Sequence, residues 1–443
     1  MQQQPRLPLW FLLVNWALIA GSFVLGMLVG SRNAAFLPEP QRTAFDLVQR
    51  EILQSHVLEL TPGELGELAL IGMVRGLDPY SRYVPPSEAA AFDEQNSGHY
   101  QGIACEVRCT PAAAVLFWPM PGGPAEKAGV QPGDVVLAVD GRPLDTPDLR
   151  LRAAEFVRGP ADSDVVLRVQ RGERTHDLVV RRADVTRPCV KWVQWLDREQ
   201  GLAYLHLSDF HKTASTQLFA ALDELQKQAP LRGLVFDLRF DPGGNLDECI
   251  RIARAFVPSG RIVAQKERGE RITEVHDAIP AECRFPDLPM VVLLNERSAS
   301  ASEVLAGALQ DHGRAAVVGV RSYGKGFVNT SYTWKDLDFR LRLTTGRYVT
   351  PNGRYIERHF GAQAAESTGG IPPDVQVPVD DAKFAAIQLT LAASPVPPQY
   401  RAGAEAAAAR HGLVVPLGPQ PSDDPQLQQA LATLRERTAA KTK

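Results

Sequence analysis

Cysteine is scarce and shows no pairing pattern. The chain has 5 in 443 residues (Cys105, Cys109, Cys189, Cys249, Cys283), with no CxxC and no histidine at zinc-ligand spacing. A structural zinc and a disulfide framework are both disfavoured. Cys105 and Cys109 are four apart and in one strand would lie on the same face about 13 Å from each other, too far to bond without a turn. A block of cations is also missing: 48 Lys+Arg are spread among 51 Asp+Glu for a net charge of -3. Without clustered cations there is no footprint for phosphate neutralisation, so nucleic acid is not expected as a partner. GxSxG, HExxH and HxE with PCxxC are absent. Gly319 to Gly326 (GVRSYGKG) has phosphate-loop spacing, but Gly326 replaces the Ser/Thr that would hold magnesium, and a β-like run follows instead of a helix. No cofactor or metal is expected.

What is present is a globular composition, 44% hydrophobic and 22% charged, which excludes a collagen, a long disordered tail and a multi-pass membrane protein. At this length two or three domains are the prior. No charge falls between Arg6 and Arg32, and Leu9 to Gly30 is long enough to cross a bilayer as a helix. The apolar part outruns a typical signal-peptide core, and SRNAAF offers no clean small-x-small cleavage site, so an uncleaved anchor is favoured over a signal sequence. Arg6 favours the short arm inside, although Arg32 on the far flank opposes it. The rest of the chain is then expected outside the cytoplasm, in the periplasm of a Gram-negative cell, or secreted if residues 1–37 are removed.

Apolar residues at helical spacing (Phe45, Val48, Ile52, then Leu65, Leu68, Ile71) predict two short helices between Thr43 and Leu77, broken at Thr61-Pro62. Thr61 with Pro62 and Glu64 reads as an N-cap, a first-turn proline and an N3 carboxylate. DPYSRYVPPSEAAAFDEQ, residues 78–95, reads as a turn leading into a further short helix. Over residues 99–182 short apolar runs alternate with Gly/Pro turns, a small β-rich domain with one short helix at Pro124 to Ala128. From Leu202 to Val379 strand-like runs alternate with helical stretches (Ser215 to Gln228, Asn245 to Phe256, Ser302 to His312), the rhythm of an α/β or α+β core. After Ala392 a Pro-rich stretch, an Ala-rich run and a polar helix (Pro425 to Arg437) read as peripheral.

The segment from Asn295 to Gly326 is the most informative. Ser300-Ala301-Ser302-Glu303 is a capping box before an apolar helical run, and Gly313 ends that helix. A serine at a helix N-terminus lies beside N–H groups able to hold an oxyanion. It needs a base, and His312 is about three turns away along the helix. Lys325, between two glycines, can pack close to the helix start, where desolvation would make it neutral enough to take a proton. Spacing alone leaves a solvated lysine in a glycine turn as the commoner account.

SASASE, GALQDHGRA, SYGKGFVNT, LTTGRYVTPNGR and GGIPPDVQVP together resemble, in order and at close to the family's spacing, the serine-lysine C-terminal processing peptidases, or tail-specific proteases. DPYSRYVPP, SGHYQGI, GGPAEKAGVQPGDVVLAVDG and FDLRFDPGGNLDECIRIA resemble that family's preceding blocks, so the likeness covers roughly residues 43–380. The resemblance implies Ser300 as nucleophile, Lys325 as base and Ser298 and Ser302 as structural neighbours. It implies an oxyanion hole from the Ala301 N–H with a glycine N–H of the DPGG turn, Gly243 or Gly244, where a backbone must approach substrate closely. Asn329 stands where the family carries a Gln that orients the lysine, one carbon shorter. Phe240-Asp241 replaces an Asn pair and is expected to put an apolar group and a charge near the substrate entry. Asp311 matches an acidic position, although a solvated helix-end carboxylate is the blander account.

The β-rich domain resembles a PDZ domain, which holds an extended C-terminus on a sheet edge and its carboxylate in backbone N–H groups. The implied carboxylate loop is Tyr100, Gln101, Gly102, Ile103 and Ala104. The expected architecture is a mixed α+β and α/β multidomain chain: an anchor or signal segment (1–37), a helical region (38–93), a PDZ domain (94–186), a mixed-sheet serine protease core (187–390) and a peripheral region (391–443). The expected function is a membrane-anchored serine endopeptidase that captures protein C-termini and cuts near them. The alternative is an inert tail-binding PDZ scaffold. Expected partners are proteins with exposed C-termini and the membrane through residues 9–30, with room for an adaptor protein and for self-association.

Overall fold

The computed structural model describes residues 37–358 and 369–442. The apolar segment 9–30 lies outside the described residues, among which no helix is long and apolar enough to cross a membrane. The chain divides into two compact units at Leu77.

In the first unit the two expected helices are Glu39–Ser55 and Pro62–Arg75. The second begins at the expected capping box: the Thr61 N–H donates to Glu64 Oε2 at 2.7 Å and the Glu64 N–H to Thr61 Oγ1 at 3.2 Å. The apolar stripes are only half used, since Val74 alone is buried in these helices while Phe45, Val48 and Leu68 stay exposed.

In the second unit a helix at Pro86–Ser97 is followed by an antiparallel pair, His99–Gly102 with Ala183–Thr186, that brings the entry and exit of the β-rich domain together. Between them five strands pair in the order Cys105–Cys109, Ala114–Pro119, Asp134–Val139, Asp164–Arg171, Arg174–Arg181. Strict alternation along Asp164–Arg171 puts Val165, Leu167 and Val169 inward, where they meet Leu116, Val136 and Val180. The expected short helix is there at Pro124–Lys127.

The larger sheet runs Val190–Asp197, Leu202–Leu207, Gly233–Asp237, Met290–Leu294, Ala315–Gly319, Val375–Gln376. Its first pair is antiparallel and every later pair parallel. Strands buried on both faces read as continuous apolar runs, as GLVFD and MVVLL do. One face, with Leu205, Phe236 and Val292, packs on the helices Ala214–Gln228, Leu246–Phe256 and Ala301–Asp311. The other, with Tyr204, Val235 and Val291, packs on Asp381–Ala392 and Pro425–Thr442. A second sheet is built on the long strand Leu337–Val349, which pairs with Arg82–Val84, Arg261–Glu267 and Phe327–Trp334.

The C-terminal helix corrects the expectation of a peripheral tail. Leu427, Ala430, Leu431 and Leu434, at i, i+3, i+4 and i+7, are buried on the large sheet. Each fully buried leucine stabilises by about 1.5–3 kcal/mol. At the start of that helix Asp424 and Gln426 reach a guanidinium with no exposed surface, that of Arg239. Arg239 Nη2 lies 2.7 Å from Asp424 Oδ2 and donates to Asp237 Oδ2 at 2.6 Å, while Nη1 donates to Gln426 Oε1 at 3.0 Å. A buried cation that loses one anion partner keeps its desolvation cost. Asp424→Ala is expected to lower stability by about 3 kcal/mol in urea denaturation at pH 7; a loss within experimental error would show that Asp237 alone suffices.

Candidate active site

The strand Met290–Leu294 leaves the sheet into a tight turn, and Ser300 stands between that turn and the helix Ala301–Asp311. Its backbone is left-handed, φ 57° and ψ -115°. For a residue with a Cβ this costs about 1–2 kcal/mol and persists only where the surroundings fix it. They do. The Ser298 hydroxyl donates to the Leu238 carbonyl at 2.9 Å, the Ser302 hydroxyl to the Asp241 carbonyl at 2.9 Å, and the Ala299 N–H to the same Asp241 carbonyl at 2.9 Å. Ser298 and Ser302 have no exposed surface; their hydroxyls hold the turn, while Ser300 between them is partly exposed.

Glu303, with no exposed surface, accepts four hydrogen bonds. Its Oε2 takes the Ser300 N–H and the Lys325 N–H, each at 2.8 Å; its Oε1 takes the Ser322 hydroxyl and the Gly324 N–H, each at 2.6 Å. One carboxylate oxygen thus ties the backbone of Ser300 to that of Lys325. Burial pushes the Glu303 carboxyl up from its ordinary value, and the four donors pull it back.

The glycines beside Lys325 are required by close approach. A Cβ on Gly326 would lie 2.2 Å from the Glu357 N, and one on Gly324, at φ 88°, would lie 2.9 Å from the Arg358 side chain. The loop therefore sits flat against its neighbours and buries most of the lysine. Burial, then the nearby Arg342 charge, lowers the Lys325 ammonium to about 8, with Glu303 opposing the shift. No hydrogen bond joins the Lys325 amine to the Ser300 hydroxyl among the described residues; the Nζ lies 5.1 Å from the centroid of the Tyr80 ring.

The DPGG turn packs directly on Ser300. A Cβ on Gly243 (φ 92°) would lie 2.8 Å from both the Ala301 N and the Ser300 Cβ, filling the space beside the helix start. The Gly243 N–H donates to Asp241 Oδ1 at 2.8 Å, whereas the Gly244 N–H has no partner among the described residues. Of the two glycines, Gly244 keeps a free donor.

Three expectations are corrected. Asn329 does not meet Lys325: its amide donates to Thr344 Oγ1 at 3.1 Å and accepts from Arg342 Nη2 at 3.4 Å, because the strand Phe327–Trp334 is bulged at Val328/Asn329 and carries the short side chain onto the neighbouring strand. Asp241 does not lie at a substrate entry but is fully buried, with Oδ2 unpartnered among the described residues, and burial raises its carboxyl well above the ordinary value. Phe240 does reach a surface cleft and packs on Phe384 at 4.9 Å. Asp311 is neither at the site nor solvated: it is buried, pairs with Arg354 and accepts the Asn352 N–H at 2.9 Å, fixing the TPNGR turn.

In the β-rich domain Tyr100, Gln101 and Gly102 are not an open loop but pair with Val185, Asp184 and Ala183. Ile103 and Ala104 are buried, Ala104 at φ 54°. Tyr100, Gly102 and Ile103 line a cleft of about 820 Å³ together with Val107, Val157, Lys191 and Phe240. Glu303, Tyr80 and Arg342 were not singled out in the sequence as site residues. The signal for Glu303 was the N3 carboxylate of a capping box inside an otherwise apolar helix.

Ser300 at its strand-to-helix turn, the Gly-Gly turn packed on it and the Lys325 loop tied to it through Glu303 form one cluster. Residues 201–377 match the model of peptidase family S41, and residues 118–171 that of a PDZ domain. Over 385 residues the chain is 31% identical to a Staphylococcus epidermidis protein named "Probable CtpA-like serine protease", covering 84% of this chain and 74% of that one. A Staphylococcus haemolyticus protein of the same name is 33% identical over 321 residues, 71% of this chain and 60% of its own length. Among solved structures, the photosystem II D1 C-terminal processing protease is 30% identical, with 75% of this chain and 86% of that one covered and a TM-score of 0.44. The chain belongs to the C-terminal processing peptidases of family S41.

Glu303→Gln would turn an NH2 group toward two of the four donors. It is expected to cost about 2 kcal/mol or more and to lower the rate of any Ser300-dependent reaction at least tenfold. Thermal unfolding with an activity assay checks this, and a variant of unchanged stability and rate would remove Glu303 from the site.

Proposed function

We propose that the protein is a serine endopeptidase that captures the C-terminal tail of a protein substrate in the PDZ cleft and cuts it with Ser300 and Lys325. The observation that carries this reading is the Glu303 oxygen shared by the two backbones, which brings the serine and a desolvated lysine to one place. In its neutral form the Lys325 amine takes the hydroxyl proton as Ser300 attacks the scissile carbonyl, then gives it to the leaving amine. The N–H of Ala301, without a partner inside its helix, and that of Gly244 receive the oxyanion. The acyl-enzyme is released by water through the same proton transfers. A tail would add as a strand along Cys105–Cys109, its carboxylate toward the backbone of residues 102–104. Residues 9–30 would anchor the chain with residues 38–443 outside the cytoplasm.

The base is the deprotonated lysine, so the sign follows from its lowered value. Below about pH 8 each unit of acidification should cut kcat/KM about tenfold, and above it the rate should level off. The same shift makes the unfolded chain bind more protons than the folded one between about pH 8 and the ordinary lysine value, so Lys325 adds stability as pH rises through that window. The test uses an unfolded reporter with an apolar C-terminal tail and the purified chain lacking residues 1–37. Cutting by the wild type, and none by Ser300→Ala or Lys325→Ala that still bind the tail, supports the dyad. Undiminished cutting by either variant would overturn it, and tail binding without cutting by any form would favour the inert scaffold.

A further inference from the structure

We propose that Tyr80 is the positioning residue of Lys325: the face of its ring is the seat of the lysine's ammonium form, doing the work that a side-chain amide at position 329 does not do in this chain. The inference rests on the catalytic reading of Lys325.

The Lys325 Nζ lies 5.1 Å from the Tyr80 ring centroid, inside the range of about 6 Å over which a ring quadrupole attracts a cation. The ring is fixed from three directions. Its turn is built on Asp78, which accepts the Tyr80 N–H at 2.7 Å, the Ser81 N–H at 2.8 Å and the Ser81 hydroxyl at 2.7 Å. That turn is joined to the strand Leu337–Val349, since Thr344 Oγ1 donates to Asp78 Oδ1 at 3.0 Å and the Thr344 N–H to Ser81 Oγ at 3.0 Å. The Tyr80 phenol is hydrogen-bonded to Tyr323, and its ring packs on Phe327 with centroids 5.8 Å apart. Tyr80 therefore grips the loop two residues before Lys325 and two residues after it. Thr344 also receives the Asn329 amide, so the side chain that might have reached the lysine is held by the same turn.

Arg342 from the long strand and Glu303 from the helix act on the amine, and Tyr323 from the lysine's own loop, Glu303 and Asp78 from the turn act on the Tyr80 ring beside it. Arg342 and burial disfavour the ammonium, Glu303 favours it, and no carboxylate pairs with the Nζ among the described residues. An aromatic face suits this balance. It attracts the cation without the depth of an ion pair, and it offers no acceptor that would hold the amine once the proton has gone. The amine can leave the ring for the serine at small cost.

The test compares Tyr80→Leu and Tyr80→Met, which remove the π face, with Tyr80→Phe, which keeps it, in the full chain. Two readouts are used: the pH dependence of kcat and KM, and NMR titration of the Lys325 ¹³Cε resonance, assigned by its loss in Lys325→Arg. Loss of the ring should move the lysine midpoint down by about half to one pH unit and lower the plateau kcat roughly tenfold with KM unchanged. Tyr80→Phe should keep the wild-type midpoint. A folded Leu or Met variant whose ¹³Cε midpoint is unmoved or rises would overturn the assignment. Because the NMR titration needs no turnover, it separates the two failures: a shifted midpoint with activity retained in Lys325→Ala would retain the seat and reject the catalytic reading.

Discussion

One buried carboxylate sets the geometry of the site. Glu303 has no contact with solvent and no ion-pair partner among the described residues, yet it is held by four donors, two on each oxygen. An acid so buried would cost several kcal/mol if its acceptors were unfilled. The cost is offset only when the Ser300 turn and the 322–325 loop are both in place, so neither can drift without exposing the charge. The left-handed Ser300 backbone and the flattened glycine loop are local strains that would relax in isolation. Shared ligation of one carboxylate makes them mutually dependent.

A second buried charge supports the Gly-Gly turn. Arg239, two residues before Asp241, lies in the turn just after the strand Gly233–Asp237 with its guanidinium in the protein interior. Its anions come from that strand and from the start of the C-terminal helix. The carbonyl of Asp241 then receives Ala299 and Ser302, and its carboxyl receives the Gly243 N–H. The backbone of the Gly-Gly turn is thus fixed to the serine turn on one side and, through Arg239, to a segment 185 residues further along the chain.

Much of this was legible in the sequence, and the rest was hidden for identifiable reasons. The capping box at Thr61, the alternation of VVLRVQR and the apolar runs GLVFD and MVVLL are local patterns, and the elements they predicted are present. Ser300 and Lys325 could be singled out because their motifs are contiguous, and their glycines are needed where they stand. Glu303 was read only as a helix-capping residue, since nothing local says that its second oxygen meets a loop 19 residues away. Asn329 was misplaced because a β-bulge is invisible to residue spacing. The C-terminal helix was dismissed although Leu427, Leu431 and Leu434 carry helical spacing, because its many polar residues masked a narrow stripe. The apolar stretch at 9–30 is a sequence feature alone.

The environment of Lys325 explains why the loop is built from glycine, serine and aromatic residues and brings no acid to the amine. Under the proposed mechanism, a carboxylate within hydrogen-bond reach would favour the ammonium strongly in a site this desolvated, and a base kept charged cannot accept a proton. Full burial with no compensating group would carry the opposite risk, a lysine that desolvation alone pushes far down, with an amine too weakly basic to draw a proton from serine. Arg342 pushes in that direction, while Glu303, spent on the donors of two backbones and a hydroxyl, restrains it. The resulting value of about 8 is set first by burial, with no ion pair to the amine among the described residues, so it depends on how deeply the loop holds the side chain. The Glu303 clamp is therefore as much an electrostatic device as a geometric one: by fixing the backbone of residue 325, it fixes how deeply the amine is buried.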